Sequence, residues 1–246
     1  MVSFTPQITQ QIPRLEEGDV HVWKLSLKAE AALNKYPSLT DDEVLKINRL
    51  RNPRHRSYAA SMRGQLRDLL SCYLDLPAAD IRFQQATFGK PYIVDSALSF
   101  NVSHSGSQAL VAVAIEKQLG VDIEKWRHLD NLEAMVSRNF STAEQTEWLG
   151  IPYDQRMSTF FNIWTCKEAF IKATGRGLGL GVSRCGFSLS RPNKLLECPG
   201  EYGEISHWSC VSLEVGQQMS ASLIMKFSHC EPGIYTFDPE NLPQII

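Results

Sequence analysis

The stretch Gly120-Val121-Asp122-Ile123-Glu124 places two carboxylates on alternate residues of a predicted short strand. Residues two apart in a strand point to the same face, so Asp122 and Glu124 project together while Ile123 turns into the core. Carboxylates held side by side repel each other unless a cation or a proton lies between them. Oxygen ligands of this kind suit Mg²⁺. The stretch therefore predicts either a divalent-metal site or a surface strand that carries two solvated acids.

A second stretch, residues 164–172 (WTCKEAFIK), carries a glutamate and two lysines on a predicted helix. Trp164, Glu168 and Lys172 fall at four-residue spacing and share one helix face. Such a Glu–Lys pair is commonly a surface pair, but the many aromatic and aliphatic neighbours here predict partial burial and therefore a use. Lys167 is an equally good inward-facing cation, and helical geometry leaves the choice between the two lysines open.

Composition narrows the class of protein. The chain has 246 residues and a formal net charge of −2, which indicates one large or two small folded domains and no broad nucleic-acid surface. No apolar run is long enough to span a bilayer, and the first residues lack a signal-peptide pattern. The six cysteines form no C-x-x-C pair, which indicates free thiols in a reducing compartment. We therefore expect a soluble cytoplasmic protein.

The order strand, helices, strands occurs twice along the chain. Residues 20–27 alternate as a half-buried strand, and Thr40 with Glu43 forms a predicted capping box at the start of a helix. Together these patterns predict an α+β fold with two similar-sized subdomains, residues 1–117 and residues 118–246. The other predicted helices cover residues 54–73, 130–139, 142–149 and 155–174. Residues 1–18 are expected to form a wrapped or frayed terminus, and the tail from Asp238 onward is expected to be loose.

Several basic and polar residues are candidates for binding an anion. Arginines line one face of the predicted helix over residues 54–73, which is either a solvated face or a phosphate grip. Lys90 lies in a Gly-Lys-Pro turn, and Ser103 and His104 end a predicted strand. His104 is a base for a nucleophile, a phosphate ligand or a satisfied turn residue. The absence of a G-x-S-x-G elbow argues against a hydrolase triad.

The glycine run at residues 175–181 follows a predicted helix and lacks the phosphate-loop pattern. It is therefore interpreted as a helix exit and a tight turn.

Four motifs in this order resemble the 4′-phosphopantetheinyl transferases, in particular the surfactin-synthetase-activating (Sfp-like) class. The resemblance covers about residues 40 to 190, and its motifs are FGKP at 88–91, FNVSHS at 100–105, GVDIE at 120–124 and WxxKEAxxK at 164–172. It implies a pseudo-dimer of two similar α/β subdomains in one chain, each a small, mostly antiparallel sheet packed against helices. The active site would lie in the cleft between the subdomains.

The resemblance also implies a reaction of the holo-acyl-carrier-protein synthase type. The 4′-phosphopantetheine arm of coenzyme A would move to a serine of an apo acyl or peptidyl carrier protein, with release of adenosine 3′,5′-bisphosphate. Fatty acid, polyketide, nonribosomal peptide and glycolipid carriers all remain open, and a monomer is expected. The alternatives are a Mg²⁺-dependent phosphohydrolase acting on coenzyme A or a nucleotide, and a catalytically silent binder of coenzyme A or carrier proteins.

The same resemblance assigns roles to individual residues. Asp122, Glu124 and Glu168 would hold Mg²⁺, with Mn²⁺ as a substitute, and Glu168 is also the candidate general base. Lys172 would contact the pyrophosphate. The residues implied in coenzyme A binding are Arg63, Lys90, Pro91, Ser103, His104 and Lys172. Lys46, Arg49 and Arg56 are vaguer candidates for the 3′-phosphate beside Arg63.

Overall fold

The computed structural model describes residues 7–8, 12–30, 33–177, 181–226 and 231–239. The expectations for most of residues 1–18, for the tail beyond residue 239 and for part of the glycine run lie outside the described residues. No helix in the described ranges is long and apolar enough to cross a membrane.

The helices agree closely with the sequence periodicity. In α1 the Thr40 hydroxyl accepts from the Glu43 amide and the Glu43 carboxylate accepts from the Thr40 amide, which confirms the predicted capping box. Gly175 ends the longest C-terminal helix in a left-handed conformation that glycine adopts easily. The helices are α1 (Asp41–Asn48), α2 (Pro53–Leu74), α3 (Leu132–Asn139), α4 (Thr142–Trp148) and α5 (Tyr153–Thr174).

The strands form two main sheets and two small hairpins. The larger sheet has the order β1-β12-β2-β6-β5, and the smaller has the order β10-β11-β7. Pairing is antiparallel except where β12 lies parallel to both β1 and β2. In chain order the strands are β1 (Gln7–Ile8), β2 (Val20–Ser26), β3 (Phe83–Gln85), β4 (Pro91–Ile93), β5 (Leu98–Ser105), β6 (Gln108–Ile115), β7 (Leu119–Lys125), β8 (Gly186–Phe187), β9 (Leu195–Glu197), β10 (Trp208–Ser212), β11 (Met219–Lys226) and β12 (Gly233–Phe237).

The apolar residues divide the molecule into layers. Alternate residues of β2 and β6 pack against α2 on one face of the larger sheet, and the intervening residues pack against β7 and β11 on the other face. The far face of the smaller sheet packs against α5, with α3 and α4 beside it. The order is therefore helix, sheet, sheet, helix. This confirms the expected α+β class with small, mostly antiparallel sheets packed against helices.

Strand β12 comes late in the chain but lies in the same sheet as β2. The sequence analysis contained no strand at these residues. Its partners are distant in sequence, and a short parallel strand has no hairpin turn to mark it. The division into residues 1–117 and 118–246 stays a prediction.

Gly120 explains how closely α5 approaches β7. A Cβ atom at this position would lie 2.1 Å from the Ala169 carbonyl oxygen and 2.5 Å from the Ala173 amide nitrogen. Both contacts are with backbone, which cannot rotate away as a side chain can. A glycine here therefore lets the helix that carries Glu168 and Lys172 lie directly on the strand that carries Asp122.

We expect Gly120→Ala to lower the free energy of unfolding by about 2 kcal/mol or more, because overpacking forces the helix away from the strand. Urea denaturation followed by tryptophan fluorescence measures the change. Gly200→Ala is the matched control, since a Cβ there meets nothing within 4 Å. Equal stability of the two variants would contradict the close-packing argument.

Candidate active site

Alternate residues of β5 contact the chain in and just before β7 through their side chains. The amide of Val121 donates to Asn101 Oδ1 at 2.8 Å, and Ser103 Oγ donates to Asp122 Oδ1 at 2.7 Å. Ser105 Oγ donates to Glu124 Oε2 at 3.1 Å. These bonds join the larger sheet to the smaller one, and we call them the β5–β7 seam. The two acids of the GVDIE stretch therefore lie at the junction between the sheets.

Lys172 neutralises the more buried of these acids. Its Nζ lies 2.7 Å from Asp122 Oδ1, and it also donates to Ser103 Oγ at 2.8 Å and to the Val121 carbonyl at 3.2 Å. All three ammonium protons therefore have an acceptor within the protein. Asp122 is 4% exposed, and burial raises the pKa of its carboxyl, although Lys172 and Ser103 oppose that rise. The predicted contact of Lys172 with a ligand would replace one of these bonds.

The other two acids, Glu124 and Glu168, are more exposed to solvent than Asp122. Glu124 Oε2 accepts from Ser105 and from Arg127 at 3.2 Å. Burial raises the pKa of Glu168, and the negative charges of Asp122 and Glu124 raise it further while Lys172 opposes them. The charges of Asp122 and Glu124 are therefore close enough to act on the Glu168 carboxyl.

The carboxylates of Asp122, Glu124 and Glu168 are ligands of the kind that a hard cation prefers, but they are not arranged around a common point. Among the described residues, no three His, Cys, Asp or Glu side chains converge closely enough to hold a metal ion. However, Asp122 Oδ2 is buried and has no hydrogen-bond partner in the part of the chain that the structure describes. A buried carboxylate oxygen without a partner is unfavourable, and a cation would satisfy it. Metal binding by Asp122, Glu124 and Glu168 stays a prediction.

A pocket of about 270 Å³ opens beside this cluster, between the β3–β4 hairpin and α5. Its lining includes Lys90, Pro91, Glu168 and Lys172. Lys90 Nζ donates to the Leu119 carbonyl at 2.8 Å and to the Ala173 carbonyl at 3.3 Å, so the hairpin is tied to β7 and α5. Burial lowers the pKa of Lys90 to about 8. The pocket therefore contains both cationic and carboxylate side chains, which come from the β3–β4 hairpin and from α5.

With this geometry in view, comparison with known proteins is informative. The family model "ACPS: 4′-phosphopantetheinyl transferase superfamily" matches residues 118–222. The 4′-phosphopantetheinyl transferase HetI of Nostoc sp. is 35% identical over 206 residues, which cover 81% of this chain and 84% of that protein. The chain belongs to the 4′-phosphopantetheinyl transferase superfamily.

Two further relatives extend the similarity. The putative 4′-phosphopantetheinyl transferase slr0495 of Synechocystis sp. is 28% identical over 214 residues, covering 84% of this chain and 85% of that protein. The 4′-phosphopantetheinyl transferase Sfp of Bacillus subtilis is 33% identical over 139 residues, covering 56% of this chain and 61% of that protein. The resemblance read from the sequence motifs is thereby confirmed.

Two predicted coenzyme-binding residues of this superfamily member lie apart from the acidic cluster. His104 is exposed and points to the opposite face of β5 from Ser103, because adjacent strand residues alternate. Arg63 is not among the residues that line the 270 Å³ pocket. It forms an ion pair with Glu43. The roles assigned to both residues stay predictions.

The two lysines of the WxxKEAxxK motif have different surroundings, and this decides the choice that the sequence left open. Lys167 is fully buried and pairs with Glu144, which is 1% exposed, at 2.7 Å. It also donates to the Val182 and Cys185 carbonyls. Lys172 instead faces the acidic cluster. The sequence analysis missed Glu144, although its position three residues after Ser141 marks it as the second member of a capping box.

We expect Lys167→Met to lower the free energy of unfolding by about 3–5 kcal/mol, because it leaves the buried Glu144 carboxylate without a counter-charge. Lys172→Met is the matched comparison. It removes a side chain that is 26% exposed, and Asp122 keeps its bond to Ser103, so the loss should be smaller. Urea denaturation of both variants measures the difference. A larger loss in Lys172→Met would show that the pair at Asp122 is the structural one.

Proposed function

We propose that this protein transfers the 4′-phosphopantetheine arm of coenzyme A to a serine hydroxyl of an apo acyl or peptidyl carrier protein. The other product is adenosine 3′,5′-bisphosphate, so the reaction is of the holo-acyl-carrier-protein synthase type. One observation carries the proposal: Asp122, Lys172 and Ser103 form a hydrogen-bonded cluster beside Glu168, at a pocket lined by Lys90. Such a cluster suits a pyrophosphate and a hydroxyl nucleophile.

The reaction transfers one phosphopantetheinyl group. The serine oxygen of the carrier attacks the phosphorus that bears the pantetheine arm, and the bond from that phosphorus to the bridging oxygen of the pyrophosphate breaks. Glu168 accepts the hydroxyl proton. The raised pKa of Glu168 lies closer to neutral pH than that of an ordinary carboxylate, and a general base is most effective when its pKa is near the working pH. Nothing in this step requires a covalent enzyme intermediate.

Magnesium, held by Asp122, Glu124 and Glu168, would supply positive charge against the pyrophosphate. Oδ2 of Asp122 is buried and has no hydrogen-bond partner among the described residues, which supports this assignment. Lys172 opposes the rise in the pKa of Asp122 and fixes the orientation of its carboxylate through the bond to Oδ1. Ser103 holds the same oxygen from the other sheet.

Coenzyme A would lie along the side of the pocket formed by Lys90 and Pro91. Here the Lys90 ammonium offers positive charge to a phosphate while two backbone carbonyls keep it in place. His104, Ser103 and Arg63 remain further candidates for phosphate contacts. The acidic surface that carrier proteins present favours a basic or apolar docking face. We further propose that the enzyme acts as a monomer in the cytoplasm.

The first test is transfer itself. Incubation with coenzyme A, Mg²⁺ and a panel of apo carrier proteins should add a phosphopantetheine mass to at least one carrier, measured by intact mass spectrometry. Glu168→Gln should lower kcat by at least about 100-fold, because the amide cannot accept the serine proton. The exposed Glu17→Gln is the control and should retain activity. Release of adenosine bisphosphate without any carrier would instead favour a phosphohydrolase.

The second test uses pH. Because the pKa of Lys90 is lowered to about 8, its ammonium is present below that pH and is lost as the pH rises through it. The affinity for coenzyme A should therefore fall between about pH 7 and about pH 9. Isothermal titration calorimetry measures this fall. Lys90→Arg keeps its charge over that range and should show a flatter profile, so an unchanged pH dependence in that variant would rule out Lys90 as its source.

A further inference from the structure

Arg63 and Arg67 on α2 both contact the Glu43 carboxylate, but they differ in how many of their donors are engaged. Arg67 is 2% exposed, and every nitrogen of its guanidinium has an acceptor. Its Nε and one terminal nitrogen bind the two oxygens of Glu43, and the other terminal nitrogen binds the Ala78 and Ile81 carbonyls. Four of its five N–H donors are therefore engaged, and the buried Arg67 side chain joins α1, α2 and the turn that precedes β3.

Arg63 lies one helical turn earlier and has donors to spare. Its Nε donates to Glu43 Oε1. Within the described residues, neither terminal nitrogen of Arg63 has a hydrogen-bond acceptor. Its side chain is 21% exposed, so solvent or a ligand reaches it. The free edge of the guanidinium thus carries two parallel N–H groups, the geometry that grips phosphate oxygens in pairs.

One face of the Arg63 guanidinium packs against the Phe83 ring. Its central carbon lies 3.9 Å from the centre of the Phe83 ring, and the Phe83 ring packs edge-on against Phe100 at 5.6 Å. A cation over an aromatic face is attracted electrostatically and restricted in its tilt. Glu43 fixes one edge of the Arg63 plane and Phe83 fixes one face. Among the described residues, the edge that carries the two terminal nitrogens has no hydrogen-bond acceptor.

We propose that Glu43 and Phe83 are positioning residues that hold Arg63 ready for a phosphate monoester of the coenzyme. The inference rests on the proposed function, since coenzyme A carries such a monoester at its ribose 3′ position. Phe83 begins the same β3–β4 hairpin whose turn and second strand carry Lys90 and Pro91. One hairpin therefore links the arginine to the pocket proposed for the rest of the coenzyme.

The first experiment compares two nucleotides that differ only in that phosphate. Isothermal titration calorimetry with adenosine 3′,5′-bisphosphate and with adenosine 5′-monophosphate measures the preference of the wild-type protein for the bisphosphate. Arg63→Gln should abolish the preference. Phe83→Leu should weaken bisphosphate binding about three- to tenfold and leave monophosphate binding unchanged, because Arg63 loses the ring against its guanidinium. Arg67 lies 5.1 Å from the same ring but keeps its hydrogen bonds to Glu43 and to two carbonyls.

The matched control for Phe83→Leu is an aromatic residue on α2, the helix that carries Arg63. Arg54 is stacked on the Tyr58 ring with its central carbon 5.4 Å from the ring centre, and Tyr58→Leu removes that stack without touching Arg63. Tyr58→Leu should keep the full nucleotide preference. A purely structural effect of losing an aromatic ring would lower the affinity for both nucleotides, so the ratio of the two affinities separates positioning from folding.

Glu43→Gln tests the contact between Glu43 and Arg63. It keeps the size of the side chain and one acceptor oxygen but removes the charge, and it should reduce the preference for the bisphosphate. Thr40→Ala disturbs the same helix cap without removing the Arg63 contact and should not. Thermal denaturation of each variant confirms that the fold is retained.

Two results would overturn the proposal: an unchanged nucleotide preference in both Phe83→Leu and Glu43→Gln, or an unchanged preference in Arg63→Gln. Nucleotide binding is measured without a carrier protein. Failure of the wild-type protein to modify any carrier would therefore count against the proposed function, whereas the nucleotide preferences decide the positioning of Arg63.

Discussion

The β5–β7 seam is the set of contacts on which the arrangement of the site depends. Apolar packing alone allows two sheets to slide over each other, because it has no preferred direction. Hydrogen bonds are directional, and the polar side chains of β5 meet β7 at alternate residues. They fix which residue of one strand lies opposite which residue of the other. The position of Asp122 beside Ser103 follows from this register.

Three lysines show how burial decides what a cation can do. Lys167 is sealed inside the C-terminal core with Glu144, where its charge is fully compensated and unavailable. Lys172 is partly exposed and shares its protons among Asp122, Ser103 and a carbonyl. Within the described ranges, the acceptors of Lys90 are two neutral carbonyls, so burial acts on its ammonium without a counter-charge and lowers its pKa to about 8. Of the three, Lys172 and Lys90 line the pocket and supply its positive charge.

Much of this could be predicted from local patterns in the sequence. Strand alternation places Asp122 and Glu124 together, and helical periodicity outlines α2 and α5. The capping box at Thr40 and Glu43 marks the start of α1 because both its partners lie within one turn. What escaped prediction depends on residues distant in sequence. Neither the pairing of Glu144 with Lys167 nor the seam partners of Asn101 and Ser105 has a local signature.

The parallel pairing of β12 with β2 has a consequence for synthesis on the ribosome. The larger sheet packs on α2, whose residues emerge early, yet the strand between β1 and β2 consists of residues 233–237. During translation, one edge of β2 stays without its partner until nearly all of the chain described here has been made. An unpaired strand edge attracts other strands. The nascent protein therefore passes through a stage in which that edge of β2 is open to pairing with strands of other molecules.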